Sequence, residues 1–184
     1  IELLTGSVTE QEANLLYIAV TTDTGCFQYA NTNAATLRAA ARLLELGADN
    51  RKVSMEFFRK ISRARMALVG HIYSGMRFFR GGQIAIAVVT RALIDALQAT
   101  EDDCDDIAGL PGRADGVVVS VTIRELTDGR SKISVRTPPE VDSCAICAVY
   151  GGGGHKMASG CTLTCDPETA VEKILAAIDQ VWPA

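Results

Sequence analysis

The sequence predicts an α/β protein in which a helical segment precedes a smaller mixed-sheet α/β domain. Apolar residues recur at helical spacing through residues 10–72, whereas residues 83–89 and 117–136 show the apolar runs and alternation of strands. The length of 184 residues fits one ordinary domain or two small ones. Apolar residues make up 48% of the chain and charged residues 22%, which is typical of a folded protein and not of a disordered one.

The first half of the chain is predicted to be almost wholly helical. A T-x-x-E capping box at Thr9 and Glu12 indicates a helix start. Caps and apolar spacing together predict helices over residues 10–22, 34–46, 50–61 and 62–72. In the second of these helices, the buried face is expected to consist of Leu37, Ala40, Ala41 and Leu44.

The second half is predicted to alternate strands and helices. The Arg80-Gly81-Gly82 break places a domain boundary at residues 78 to 82, so the predicted domains are residues 1–78 and 79–184. Asp128-Gly129 predicts a β-hairpin turn, and Asp166-Pro167 predicts the start of the last helix. The expected elements are strands at 83–89, 117–123, 132–136 and 160–164, and helices at 91–97, 141–149 and from 167.

Charge and cysteine usage limit the classes of partner. The formal charge of −4 argues against a surface that neutralises the phosphates of long nucleic acids, although a local basic pocket for a small phosphorylated ligand stays compatible. The longest apolar stretches are far shorter than the roughly 20 residues that cross a bilayer, so we expect no membrane partner. Six cysteines without a visible secretory signal favour reduced thiols and a cytoplasmic location.

An acidic cluster at residues 101–106 suggests a calcium site at first sight. It lacks the glycine and the terminal glutamate of an EF-hand loop. We therefore interpret it as a solvated helix start, where carboxylates interact favourably with the helix dipole.

The strongest local signal is the run from Gly151 to Gly154, which is followed by His155 and Lys156. Consecutive glycines are costly in conformational entropy, so a fold that keeps them usually needs its backbone close to something. Their amides can form an anion-binding nest, to which His155 and Lys156 add donors. Composition alone favours a flexible loop equally well.

A second signal is the segment Thr22-Asp23-Thr24-Gly25. Asp23 follows a mostly apolar helix and precedes a Thr/Gly-rich turn, where a carboxylate can be held at a cleft edge. Such an aspartate can ligate a hard divalent metal that polarises a phosphoryl group or activates water. Seen alone, a capping or Asx-turn aspartate is the more common alternative.

In combination, these two motifs resemble the DHH phosphoesterase superfamily, in the subgroup of nanoRNases and phosphoadenosine-phosphate phosphatases. The TDTG-type motif stands at residues 22–25 and the GGGH motif at residues 152–155. The similarity continues through the LLELG stretch at 43–47 and through residues 133–136, and it covers essentially the whole chain. It implies the C-terminal helical part of a DHH domain followed by a DHH-associated substrate-binding domain.

The resemblance implies a phosphoesterase that acts on short oligoribonucleotides or small phosphorylated nucleotides, with a homodimer left open. Asp23 would be a catalytic residue and a ligand of a two-manganese (Mn) site. The implied substrate-binding residues are Arg136, Gly152, Gly153, Gly154 and His155. Thr137 departs from the family, which commonly has serine after the arginine.

The upstream His and Asp motifs of the family are absent, since no His or Asp precedes Asp23. One aspartate cannot hold a metal pair. We therefore expect the chain to be part of a longer enzyme and to be inactive by itself. The alternative is a non-catalytic module that binds a nucleotide or single-stranded RNA.

The spacing of four cysteines leaves a zinc site open as a third interpretation. The set is Cys144, Cys147, Cys161 and Cys165. The competing interpretation is that these thiols pack as small apolar groups.

Overall fold

The computed structural model describes residues 6–183, which divide into two compact units between Ile61 and Ser62. The first unit is helical, and the second contains the whole β-sheet. The predicted α/β class is therefore confirmed. No helix of the described chain is long and apolar enough to cross a membrane.

Within residues 6–61, the first unit contains three α-helices: α1 Glu10–Asp23, α2 Ala34–Glu45 and α3 Asn50–Ser54, which continues as a π-helical turn, Met55–Arg59. The predicted capping box of α1 is present: the Thr9 amide donates to Glu12 Oε2 at 2.8 Å, and the Glu12 amide donates to Thr9 Oγ1 at 3.3 Å. Asp49 caps α3 by accepting from the Lys52 amide at 2.9 Å. These caps satisfy amides that have no acceptor inside the first turn of a helix.

The buried side of α2 differs from the predicted one. Ala40 and Leu43 are buried, whereas Leu37 is 51% exposed and Leu44 is 40% exposed. The prediction was wrong about these two leucines and about Ala41, which is also exposed, because helical spacing identifies apolar stripes without showing which stripe has a partner. Small residues let α1 and α2 pack closely. The core of this unit consists of Ala13, Tyr17, Ala40, Leu43, Ala48 and Val53.

The second unit is built around a six-stranded sheet with the order β1-β2-β3-β4-β6-β5. Only β2 and β3 run parallel; the other neighbours are antiparallel. The strands are β1 Arg77–Phe79, β2 Ile84–Val89, β3 Val119–Glu125, β4 Ser131–Arg136, β5 Gly153–His155 and β6 Ala158–Leu163. The helices are α4 Arg63–Gly75, α5 Arg91–Ala96, α6 Ser143–Ala148 and α7 Pro167–Val181.

One face of this sheet carries the main core. Alternate residues of β3 and β4, such as Val121, Ile123, Ile133 and Val135, pack with the α6 and α7 side chains, and all four are fully buried. Burying one such side chain contributes about 1.5–3 kcal/mol. The hairpin prediction and the helix start at Asp166 and Pro167 are both confirmed.

The opposite face is covered at β2 by α4, and the turn Ile107–Gly109 lies against β3 and part of β4. Leu68 and Ile72 of α4 pack with Ala87 and Val89 of β2. Helix α4 therefore belongs to the compact unit of the sheet. For this reason the predicted boundary at residues 78 to 82 does not coincide with the division between the two units, which lies at residue 61.

The acidic cluster forms a short 3-10 turn, Asp102–Cys104, and not the start of an α-helix. Asp103 is buried and accepts hydrogen bonds from the Ser62 hydroxyl and from the Thr100 amide, the latter at 2.8 Å. These hydrogen bonds, chiefly the one from Ser62, lower the pKa of Asp103. The predicted helix start was thus wrong, and so was the solvation of Asp103, which joins this turn to the start of α4. The other four carboxylates of the cluster are exposed, as predicted.

Candidate functional site

The face of the sheet opposite the main core is polar along β4. Lys132, Ser134 and Arg136 alternate with the buried residues of this strand. Lys132 is exposed, and among the residues that the structure describes no carboxylate lies within ion-pair distance of it. This strand therefore presents cationic and hydroxyl groups to solvent on one side only.

Arg136 and His155 lie in one cross-strand row of this polar face. Arg136 is paired with Ala158 of β6, and Ala158 is paired with His155 of β5. Directly opposite residues in antiparallel strands project to the same side, and two strand spacings separate the backbones by about 10 Å. The two predicted binding residues are therefore brought together, with only a methyl side chain between them.

The floor between these residues is made of small side chains. Ser134 is paired with Gly160, and Gly160 is paired with Gly153, in the row next to Arg136 and His155. Sequence analysis did not identify Lys132, Ser134 or this floor. The alternation along β4 was a signal for the first two, because residues two and four positions before Arg136 must share its face.

Two hollows flank the half-buried Arg136 side chain. Its Nη1 donates to the Val135 carbonyl at 3.0 Å, which orients the guanidinium. One hollow is lined by residues that include Arg124, Lys132 and Ser134. The other is lined by residues that include Arg113, Ser120 and Thr137. Arg124 is already paired with Glu101 at 2.6 Å, so its charge is partly compensated.

The glycine run ends as the edge strand β5, and its glycines have different surroundings. A Cβ on Gly152 would lie 2.3 Å from the Gly160 carbonyl oxygen, and one on Gly154 would lie 2.6 Å from the Ala158 carbonyl oxygen. Gly154 also has a φ of +145°, which side chains rarely adopt. A Cβ on Gly153 would have no atom within 4 Å. Close backbone approach thus explains Gly152 and Gly154 but leaves Gly153 unexplained by packing.

The amides at the start of the run already have acceptors. The Gly151 amide donates to the Ala148 carbonyl and the Gly152 amide donates to the Cys147 carbonyl, each at 3.0 Å. These two amides therefore do not contribute to an anion-binding nest in this structure. The donors that remain on the open side are the side chains of the row and of the adjoining turn.

Two thiols lie beneath this loop. Cys147 is fully buried and Cys161 nearly so, and both belong to the main core. A hydrogen bond with Cys161 lowers the pKa of the Cys147 thiol to about 7. The described chain contains no group of three or more His, Cys, Asp or Glu side chains placed to hold a metal ion, so the zinc interpretation has no geometric support there.

Asp23 is the last residue of α1 and is exposed. Asn31 Nδ2 donates to its Oδ2 at 3.0 Å and to its carbonyl oxygen at 3.2 Å. No described backbone amide donates to the carboxylate, as a capping or Asx-turn aspartate would require. A carboxylate at the C-terminal end of a helix is also electrostatically unfavourable, so helix stability does not explain this position.

The turn after Asp23 is conformationally demanding. Gly25, Cys26 and Phe27 all have positive φ, at 54°, 56° and 67°. Each non-glycine residue in this region costs on the order of 1 kcal/mol or more. The Thr24 hydroxyl donates to the Val20 carbonyl at 2.7 Å and accepts from the Phe27 amide at 3.1 Å, which holds the turn. The turn thus fixes the position of Asp23. One aspartate by itself supplies too few ligands to hold a pair of metal ions.

Comparisons with known proteins agree in indicating one family. The DHHA1 domain family matches residues 81–182. The bifunctional oligoribonuclease and PAP phosphatase NrnA of Thermus thermophilus is 36% identical over 180 residues, which cover 97% of this chain and 53% of that protein. The protein of the same name from Mycoplasma genitalium is 32% identical over 152 residues, or 83% of this chain and 46% of that one. The chain spans about half the length of these relatives.

The fold has a counterpart among solved structures. An exopolyphosphatase-related protein from Bacteroides fragilis superposes with a TM-score of 0.84 at 25% sequence identity. The match covers 94% of this chain and 51% of that chain. It supports the mixed-sheet architecture described above.

Proposed function

Since the chain belongs to the DHH phosphoesterase family and carries its DHHA1 domain, we propose that it is part of a metal-dependent hydrolase of short oligoribonucleotides or small phosphorylated nucleotides. Its relatives named above are oligoribonucleases and PAP phosphatases by name. The observation that carries the proposal is the row of Arg136, Ala158 and His155 on an open sheet face. In this function, residues 62–184 bind the substrate.

Arg136 binds a phosphate group of the substrate. A guanidinium presents parallel N–H donors that match two phosphate oxygens, and partial burial of the side chain reduces its loss of entropy on binding. The Nη1 contact with the Val135 carbonyl fixes the plane of the group. Lys132, four residues earlier on the same face, adds a second positive charge for a further phosphate.

His155 and Gly153 complete the binding face. The imidazole of His155 supplies a ring N–H donor at the far end of the row from Arg136. Gly153 and Gly160 leave the floor without side chains, so a sugar or base can approach the backbone. This role accounts for Gly153, which packing does not require.

In this proposal, the carboxylate of Asp23 supplies one oxygen ligand to a manganese site. Bound divalent metals polarise phosphoryl oxygens and activate water in such enzymes. The described residues do not fit a complete two-metal centre, because no group of three ligating side chains is present among them. We therefore expect the chain by itself to bind nucleotide without hydrolysing it.

A second candidate function follows from the same observation about the metal. The chain would be a binding module for a nucleotide or single-stranded RNA, and a longer protein that contains it would not catalyse hydrolysis either. Manganese-dependent hydrolysis by a longer protein that contains this sequence separates the two functions, since a pure binding module shows affinity but no turnover.

The first experiment measures phosphoadenosine phosphate binding to the purified chain by isothermal titration calorimetry. We expect saturable binding by the wild type and about tenfold to hundredfold weaker binding by Arg136→Ala, because a charge-assisted hydrogen bond is worth about 1.5–3 kcal/mol. Arg130→Ala is the matched control, since Arg130 lies next to β4 and pairs with Asp128 at 2.7 Å.

Manganese and the same nucleotide are then incubated with the chain, and products are separated by chromatography. We expect no turnover above the rate without protein. Equal affinities of wild type and Arg136→Ala would contradict the assignment of the polar sheet face as the binding site. Absence of binding by the wild type would contradict the proposed function of residues 62–184.

A further inference from the structure

Strand β5 by itself provides little support for the backbone of His155. It is an edge strand of three residues, two of which are glycines, and all three are exposed. Edge strands of this length have few hydrogen bonds, and glycine adds backbone freedom. A defined position for His155 therefore needs support from outside the strand.

That support comes from the first residue of α6. Ser143 is fully buried, and its Oγ donates to the His155 carbonyl at 3.2 Å. Its backbone amide donates to the Lys156 carbonyl at 2.8 Å. The amide is one that has no acceptor within its own helix, so the start of α6 and the turn after His155 satisfy each other.

A second buried hydroxyl extends this connection to β6. Ser159 Oγ donates to the Ser143 carbonyl at 2.6 Å, and Ser159 Oγ also lies 3.1 Å from Cys147 Sγ. A hydroxyl has one proton, and the shorter distance assigns it to the carbonyl. Ser159 is 5% exposed and pairs with Gly154, directly before His155.

Both serines act from the core side of the sheet. Ser159 shares the face of Val135, its partner in register, whereas His155 shares the face of Arg136. Neither hydroxyl can therefore contact a ligand bound on the polar face. Buried hydroxyls are costly unless they are bonded, and these two hold the backbone that carries the imidazole.

We propose that Ser143 and Ser159 form a buried hydroxyl relay that positions His155 for binding a phosphorylated nucleotide. They are positioning residues, since they act through the backbone of β5 and its turn. The proposal rests on the proposed function in one respect: the imidazole of His155 must contact the nucleotide.

The experiment measures phosphoadenosine phosphate affinity for Ser143→Ala, Ser159→Ala and a matched control, Ser131→Ala. Ser131 is a buried serine like the other two but lies on β4. Its hydroxyl donates to the Cys165 carbonyl at 2.9 Å, away from His155. We expect about three- to tenfold weaker binding for the first two, the effect of one neutral hydrogen bond, and less than a twofold change for the control. Thermal unfolding checks that all three lose comparable stability.

Nuclear magnetic resonance separates a specific effect on the position of His155 from a general loss of stability of the domain. The chain has two histidines, so the His155 imidazole resonance is assigned by its loss in His155→Ala. The relay predicts that Ser143→Ala and Ser159→Ala shift this resonance and that Ser131→Ala does not. If an alanine variant fails to fold, Ser143→Cys repeats the test with a weaker donor of similar size.

A double-mutant cycle completes the test. In a His155→Ala background, the relay predicts that Ser143→Ala and Ser159→Ala weaken binding by less than about twofold further. Equal weakening by the control, or unchanged affinity of both relay variants while His155→Ala binds poorly, overturns the relay alone. Unchanged affinity of His155→Ala itself overturns the assigned role of His155 and the relay with it.

Discussion

The two compact units differ in how completely each buries its own apolar residues. In residues 62–184, the alternate residues of β3 and β4 are fully buried against α6 and α7. In residues 6–61, by contrast, Leu15 is 61% exposed and Leu37 is 51% exposed. Other large apolar side chains exposed in the same unit are Leu16, Tyr29, Leu44, Met55, Phe57, Phe58 and Ile61. Those exposed in the larger unit, residues 62–184, are Met66, Tyr73, Phe78, Val149 and Met157.

The candidate chemistry follows the same division. In the unit of the sheet, Arg136 and His155 provide donors at the two ends of one row, with Ala158 between them, on a face supported by its own core. The helical unit presents one well-fixed carboxylate, Asp23, without enough ligands for a metal pair among the described residues. This difference leads us to propose that ligand binding and metal-dependent chemistry are separable properties of this sequence.

The largest expected effect tests whether the glycine run belongs to the sheet's core packing. Gly152→Ala should destabilise residues 62–184 by about 4 kcal/mol, above ordinary overpacking, because its Cβ would meet the Gly160 carbonyl and Cys161. The expected shift in the unfolding midpoint is about 8–16 °C. Thermal unfolding followed by circular dichroism measures it.

Gly153→Ala is the control for this change. It adds the same methyl group one residue later, where no atom lies within 4 Å, so its stability should change by less than about 0.5 kcal/mol. The same variant should weaken nucleotide binding if Gly153 forms the floor of the site. Similar stability of the two variants would show that the tight approach of Gly152 to β6 is not part of the fold.

Local signals in the sequence predicted most of the second unit. Asp128-Gly129 fixed the hairpin, and Asp166 with Pro167 fixed the start of α7, because turn and cap chemistry act within a few residues. The capping box at Thr9 succeeded for the same reason. Such features depend little on the rest of the fold.

Features that depend on distant partners were not predictable in this way. The glycine run gave no strand pattern, yet Gly153–His155 pairs with β6 because the neighbouring strand offers an edge. The placement of Arg136 and His155 in one row follows from the β4–β6–β5 order, which no local pattern encodes. The exposed face of α2 likewise depends on which stripe finds a partner.

A smaller effect tests the packing of the helical unit. Leu43→Ala should destabilise residues 6–61 by about 2–3 kcal/mol, since Leu43 is 91% buried beside Ala40 and Tyr17. Leu37→Ala, on the same helix, should change stability by less than about 0.5 kcal/mol because half of that side chain is already exposed. Urea unfolding of both variants measures the difference, and equal losses would mean that Leu37 also has a buried contact.

The smallest effect is expected for a variant of Asp23, and it tests most directly whether nucleotide binding is separate from metal-dependent chemistry. Asp23→Asn keeps the size of the side chain and an oxygen acceptor for Asn31, so the turn should stay in place while the negative charge is lost. Because the proposed binding row lies in residues 62–184, affinity of the chain for phosphoadenosine phosphate should change by less than about twofold. Calorimetry without metal measures this, beside Arg136→Ala as the positive control. A loss as large as that of Arg136→Ala would make the Asp23 carboxylate part of nucleotide binding itself, and the two units could then no longer be assigned separate roles.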